Sequence, residues 1–333
     1  RWPLRSRTGL TLLELLLVVF ILSALALAAA TVTDGLDSRF RYDDTAARLA
    51  NIRRAIIGDD RSTSEQTRLL SGFVADNGKR PGSDDVNQTV TQLLNMPADW
   101  LPHGVHAPVF DPDPDVNGYD NGGSTVLLDE PAQTLAKGYR GTYLKTAVGS
   151  EAYRDGWNND WTFSDVDAPN PGDPLTITSL GADGVVGDSG LSDNDADVSI
   201  ELHPSDWSIP LNSLKIRLAN RSGSDWTPSN AVRASILVFE NGDSAQGRWR
   251  RWTSDDSFAA TLGNDDTILL AFDQPEARLP VGEHLIVLVS DPNGTPHDAD
   301  DILYDNSGSR IVARVRIYPQ TLPPEALLTV RAP

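Results

Sequence analysis

The chain has 333 residues, 39% of them apolar, which is enough for two or three ordinary domains, and it has no cysteine, which excludes a disulfide framework and thiolate metal sites. Its formal charge of −19 is concentrated in residues 99–201, which hold 19 acidic and 4 basic residues. A surface of that sign repels phosphate and argues against nucleic acid as a partner.

The first element is apolar. Leu12 to Ala30 carries one charge, Glu14, in 19 residues, and as a helix it reaches roughly 28 Å, close to the thickness of a hydrocarbon core. Arg1, Arg5 and Arg7 precede it, so the basic flank is expected to stay cytoplasmic and everything after Ala30 to lie beyond the inner membrane. A carboxylate near the edge of such a run is costly and calls for a partner.

The string "RTGLTLLELLLVVFILSALALAAA" resembles the class III signal of type IV pilins and pseudopilins. The resemblance implies a leader, residues 1–9, removed by a prepilin peptidase after Gly9. It further implies N-methylation of the new terminal residue, Leu10, and a transmembrane helix over 10–30. Glu14 then stands fifth in the mature chain, where the family pairs it with the terminal ammonium of a neighbouring subunit.

Past the bilayer, Leu36, Phe40, Ala47, Leu49, Ile52 and Ile56 recur at helical spacing, which predicts one half-apolar helix continuing to Ile57 and stopping at Gly58. "DDRSTSEQ" reads as an N-cap for a second helix over about Ser64 to Val74. In "FVADNGKRPGSDD", Asn77-Gly78 supplies a left-handed helix end and Pro81 a turn, before a helix restarts toward Leu94.

This stretch resembles the major pseudopilins of type II secretion systems. The likeness resumes at "GYRGTYLKTAVGSEAYRDGWNNDWTF" and continues through "ITSLGADGVVGDSGLSDNDADVSIE". It implies a pilin-like periplasmic domain over residues 31–201, α+β, with the long helix packed on a small antiparallel sheet.

Asp183, Asp188, Asp193, Asp195 and Asp197 fall within fifteen residues among glycines, and hard oxygen ligands on a flexible loop suit Ca²⁺. The resemblance selects Asp183, Asp195 and Asp197 as side-chain ligands and Leu180 as a backbone ligand, with Asp188 and Asp193 as further candidates. Residues 99–137 read as an insertion. Within it Asp113, Asp115, Asn117 and Gly118 open like an EF-hand loop, although the twelfth position is Ser124 instead of Glu.

Residues 202–333 read as an all-β extension, a sandwich of about seven strands with an immunoglobulin-like arrangement as the natural expectation. The expected strands are "WSIPLNSLKIRLAN", "AVRASILVFEN", "GRWRRWTS", "DDTILLAF", "EHLIVLVSD" and "RIVARVRIYP". Period-two alternation sends Trp249 and Trp252 to opposite faces and its arginines to solvent. "HGVH", His103 and His106, reads as loop. No nucleophile and base stand in a recognisable catalytic motif, so an enzyme is not indicated.

Two functions follow. One is a structural subunit of a type II secretion pseudopilus or related filament, stabilised by calcium. Its partners are the prepilin peptidase, copies of itself, other pseudopilins, an inner-membrane assembly platform and inner-membrane lipid. The other is a minor pilin or surface adhesin whose C-terminal sandwich binds a glycan or protein.

Overall fold

A computed structural model describes residues 12–58, 63–64, 67–68, 70–82, 89–115, 118–119, 123–146, 152–164, 174–187, 193–242, 248–295, 299–306, 308–318 and 325–332. The fold is α+β, with few helices and many short, mostly antiparallel strands. The chain divides into two compact units. One takes in residues up to Arg48 with Arg154–Trp161 and Ser179–Val198, and the other holds the remainder.

The long helix α1 runs Leu12–Ile57 with Glu14 in its first turn. Leu12 to Leu27 expose large apolar side chains on every face. Among the described residues no helix is long and apolar enough to cross a membrane, and the span expected over 10–30 begins at Leu10, outside them. Leu36 and Phe40 are also exposed, whereas Leu49, Ile52, Ala55, Ile56 and Ile57 are buried. Thus only the last two turns use the apolar stripe as a packing face. Gly58 ends the helix in the left-handed region, its N–H bonded to the Arg54 carbonyl.

The next segment departs from expectation. Strands β1 (Thr63–Ser64) and β2 (Thr67–Arg68) pair antiparallel where a helix from Ser64 was expected, and helix α2 begins only at Phe73, running to Asn77. Threonine and serine on both sides of the turn favour this hairpin over helix. Gly78 terminates α2 at φ 75°, and α3 follows at Thr89–Leu94.

Residues 99–137 then form β3 (Gly104–His106), β4 (Val109–Phe110), β5 (Val126–Leu127) and β6 (Leu135–Lys137), with β3 pairing β6 and β4 pairing β5. His106 is therefore a strand residue, its ring stacked on Phe239 at 5.6 Å. Strands β7 (Thr162–Ser164), β8 (Leu175–Ser179) and β9 (Val198–Leu202) form a small three-stranded sheet in the order β7-β8-β9.

A short helix α4 (Pro204–Trp207) leads into β10 (Ser208–Pro210), β11 (Lys215–Arg221), β12 (Ala231–Glu240), β13 (Arg248–Thr253), β14 (Thr267–Ala271) and β15 (Arg278–Pro280). The chain ends with β16 (Gly282–Asp291), β17 (Ile302–Leu303), β18 (Asp305–Asn306), β19 (Ser309–Arg310), β20 (Val312–Ile317) and β21 (Glu325–Arg331).

Two sheets share one core: β14-β11-β21 faces β13-β12-β16-β17 with β20 attached to β16. Ile216, Leu218, Leu270 and Leu328 from the first sheet meet Val232, Ile236, Ile286 and Val315 from the second. The β11–β21 pair is parallel, which departs from the two antiparallel sheets of an immunoglobulin domain.

The central strands of the second sheet, β12 and β16, are buried on both faces. The outer face of this sheet carries Leu237, Phe239, Trp249, Leu285, Val287 and Val289, covered by Phe110, Leu128 and Leu135. Residues 99–137 thus cover this face of the C-terminal sheet, and β12 and β16 read as continuous apolar runs because neither face meets water.

This packing explains "GRWRRW". Trp249 and Trp252 do take opposite faces, one in each apolar cluster. The arginines expected in solvent are a correction: Arg251 is 2% exposed, donates to Asp301 Oδ2 at 2.8 Å and to the Pro112 carbonyl at 2.9 Å, and lies 4.8 Å from the Phe110 ring centre. Because Arg251 shares a face with Trp249, the segment that buries the tryptophan buries the guanidinium too. Burial lowers its pKa, while Asp301 pulls in the opposite direction.

Candidate metal-binding loop

The acidic loop is organised by a carboxylate that carries no metal role in the sequence pattern. Asp155 is 3% exposed. Its Oδ1 accepts from the backbone N–H groups of Trp157 (2.9 Å) and Asn159 (2.7 Å), and its Oδ2 accepts from Ser179 Oγ at 2.6 Å. One buried side chain thus closes the 155–159 turn and ties it to the end of β8. Gly156 N–H donates to Thr45 Oγ1 at 2.9 Å, and Arg48 donates to the Arg154 carbonyl at 2.8 Å, seating the turn on α1 within the same unit.

From there the order propagates outward. Asn159 Nδ2 donates to the Gly181 carbonyl at 2.7 Å, and Ala182 N–H donates to the Asp195 carbonyl at 2.9 Å. Gly181 has φ 58°, and any Cβ there would collide with the Asp195 carbonyl. Only glycine lets the two turns approach this closely.

Leu180, Asp183, Asp195 and Asp197 therefore lie on neighbouring turns. Leu180 O accepts from Gly184 N–H at 3.0 Å, Asp183 Oδ1 from Val185 N–H at 3.0 Å, and Asp197 Oδ2 from Gly187 N–H at 3.0 Å. Asp193 occupies the turn before Asp195 and is exposed. Asp188, Gly9, Leu10 and Asn117 lie outside the described residues. Among the described residues no three acidic or histidine side chains converge as a metal cluster. The donor chemistry is nonetheless all oxygen, as Ca²⁺ requires.

Within residues 99–137, Asp113 N–H donates to Asp111 Oδ1 and Asp115 Oδ1 accepts from Tyr119 N–H, both at 3.0 Å. The turn docks on β13, where Arg251 N–H donates to the Gly118 carbonyl at 2.7 Å. Gly118, at φ 85°, has no room for a Cβ beside the Arg251 carbonyl. The glycine of the EF-hand-like opening is thus accounted for by backbone docking.

Residues 115–200 match the family model for type II secretion system (T2SS), protein G. The stretch is thus similar to that family. It covers roughly a quarter of the chain, from the turn at Asp115 through the Asp155 clamp and the acidic loop to β9. No curated protein and no solved structure matches the chain. Pseudopilins are structural components of the secretion apparatus and not enzymes.

Sequence reasoning found the acidic loop but gave no role to Asp155 or Asn159. The available signal was an Asp followed directly by Gly156 and, four residues on, by Asn159.

Proposed function

We propose that the chain is a filament subunit of a type II secretion pseudopilus, inserted once in the inner membrane with its C-terminal part in the periplasm before assembly. The observation that carries this reading is the family match over 115–200, which coincides with the Asp155-clamped loop. The exposed apolar surface of Leu12 to Leu27 supports a helix meant for lipid and then for neighbouring helices.

In the proposed mechanism, a prepilin peptidase cuts between Gly9 and Leu10, and the platform extracts the subunit as Glu14 meets the Leu10 ammonium of the next copy. Two groups that are costly in hydrocarbon become tolerable together. Asp183, Asp195, Asp197 and the Leu180 carbonyl are the residues that would hold Ca²⁺, with Asp188 and Asp193 as additional donors. When bound, the ion neutralises carboxylates that otherwise repel one another.

The test is assembly. Glu14→Ala should insert and be cleaved normally yet fail to enter filaments, and wild-type copies should repeat along purified filaments. Normal assembly of the variant, or a single copy confined to the filament tip, contradicts the reading.

A further inference from the structure

Two open strand edges meet on one side of the C-terminal sandwich. Among the described residues β20 pairs only with β16, and β21 only with β11. A cleft of about 360 Å³ lies against them, lined by Asn306, Ser309, Arg310, Val312, Thr329 and Arg331. An unpaired edge offers a row of N–H and C=O groups to another extended chain.

The cleft is positive on a strongly negative protein. Among the described residues neither Arg310 nor Arg331 has an ion pair. In the parallel register Arg331 stands opposite Arg221, a like-charge pairing that costs stability unless an anion relieves it; Asp265 pairs with Arg221 through Oδ1 and accepts from Asn264 Nδ2 through Oδ2. Lys215 lies on the outward face of β11 beside Arg217, which is ion-paired with Glu325 at the start of β21, and Leu327 opposite Arg217 is 53% exposed. Residues 99–201, by contrast, carry 19 acidic and 4 basic side chains.

We propose that this cleft receives an extended acidic segment, drawn from residues 99–201 of a second copy of the chain, which adds along the β21 edge. Main-chain hydrogen bonds supply the affinity, and carboxylates placed on Arg310 and Arg331 supply the selectivity. The proposal rests on the filament reading for bringing copies together. The same charges would also serve to blunt a bare edge against pairing, and the experiment separates these two roles.

A photo-crosslinking phenylalanine derivative replaces Thr329 in the full chain in detergent, with equal amounts of isotope-labelled and unlabelled copies. The expected product joins position 329 of one copy to a peptide within 99–201 of the other. Arg310→Glu with Arg331→Glu should cut its yield about tenfold or more without changing Tm, and high salt should do the same. If the double variant melts lower, Arg331→Gln carries the comparison, with a partial loss expected. Absence of inter-copy product, products outside 99–201, or yields indifferent to charge overturn the proposal. Failure of filament assembly with these cross-links intact counts against the filament reading alone.

Discussion

The side-chain amide of Asn241, at the end of β12, donates to the side-chain oxygen of Asn77 at 2.9 Å, joining the Asp-Asn-Gly end of α2 to the C-terminal sheet. The same amide donates to the Leu101 carbonyl at 2.9 Å, its oxygen accepts from Leu101 N–H at 2.8 Å, and the Asn241 backbone N–H reaches the Asn77 carbonyl at 2.8 Å. Both asparagines are fully buried.

Asn241→Ala should therefore orphan buried groups on two segments at once, at about 1–3 kcal/mol for each orphaned group. The check is chemical denaturation, with one cooperative transition moved to lower denaturant. An unchanged midpoint would mean that the extension does not depend on this joint.

Arg251 and Asp301 predict a strong non-additivity. Asp301→Leu alone leaves a buried guanidinium beside Phe110 and should cost about 3–5 kcal/mol. Arg251→Met with Asp301→Leu should recover most of that loss, because the pocket between residues 99–137 and the sheet then becomes apolar throughout. A double-mutant cycle measures it, and additive losses would show that the pair is not acting as one unit.

Lys137 gives a pH dependence. Its ammonium is buried, donates to the Ala75 carbonyl at 2.9 Å, and burial lowers its pKa to about 8, against the opposing pull of Asp76 and Glu283. Between about 8 and 10.5 the unfolded chain holds a proton that the folded chain has lost, so stability should rise with pH across that window. His284, buried nearby, is lowered to about 3, so stability should fall as pH drops from 6.5 toward that value. Lys137→Met should flatten the alkaline rise and leave the acid fall. Denaturant midpoints measured across pH decide it, and an alkaline slope that survives the substitution would locate the effect elsewhere.

The local devices of the fold were legible where one residue type dictates backbone shape. Gly58 and Gly78 stop their helices as their sequence positions require, and each of the six expected strand runs of the C-terminal part contains a strand. What escaped was tertiary. The strand "EALLTVR" after two prolines was not anticipated, because its alanine and leucines do not announce β structure until Ala326, Leu328 and Val330 find the β11 core face. Burial of Arg251 was invisible for the same reason: the segment that covers it lies more than a hundred residues earlier in the chain. The acidic loop was found from its aspartates, but its support by Asp155 and Asn159 depends on an approach of Gly181 to Asp195 that spacing alone does not specify.

The calcium proposal predicts that the chain in detergent melts higher with calcium than with chelator, since an ion binding only the folded state adds about 2.7 kcal/mol at a hundredfold excess over Kd. Asp183→Ala or Asp197→Ala should remove most of the difference, and magnesium should substitute poorly. Asp155→Asn should weaken the response without removing a ligand, because it loosens the turn that aligns Asn159 with Gly181. Equal melting in calcium and chelator would leave the loop as a solvated acidic surface.

The central claim, a pseudopilin subunit, is tested most directly by the N-terminus of the chain recovered from membranes. Mass spectrometry of the N-terminal peptide should find it beginning at N-methylated Leu10, with Gly9→Val retaining the leader. A recovered chain that still carries Gly9, or a Gly9→Val variant that matures normally, would contradict the account.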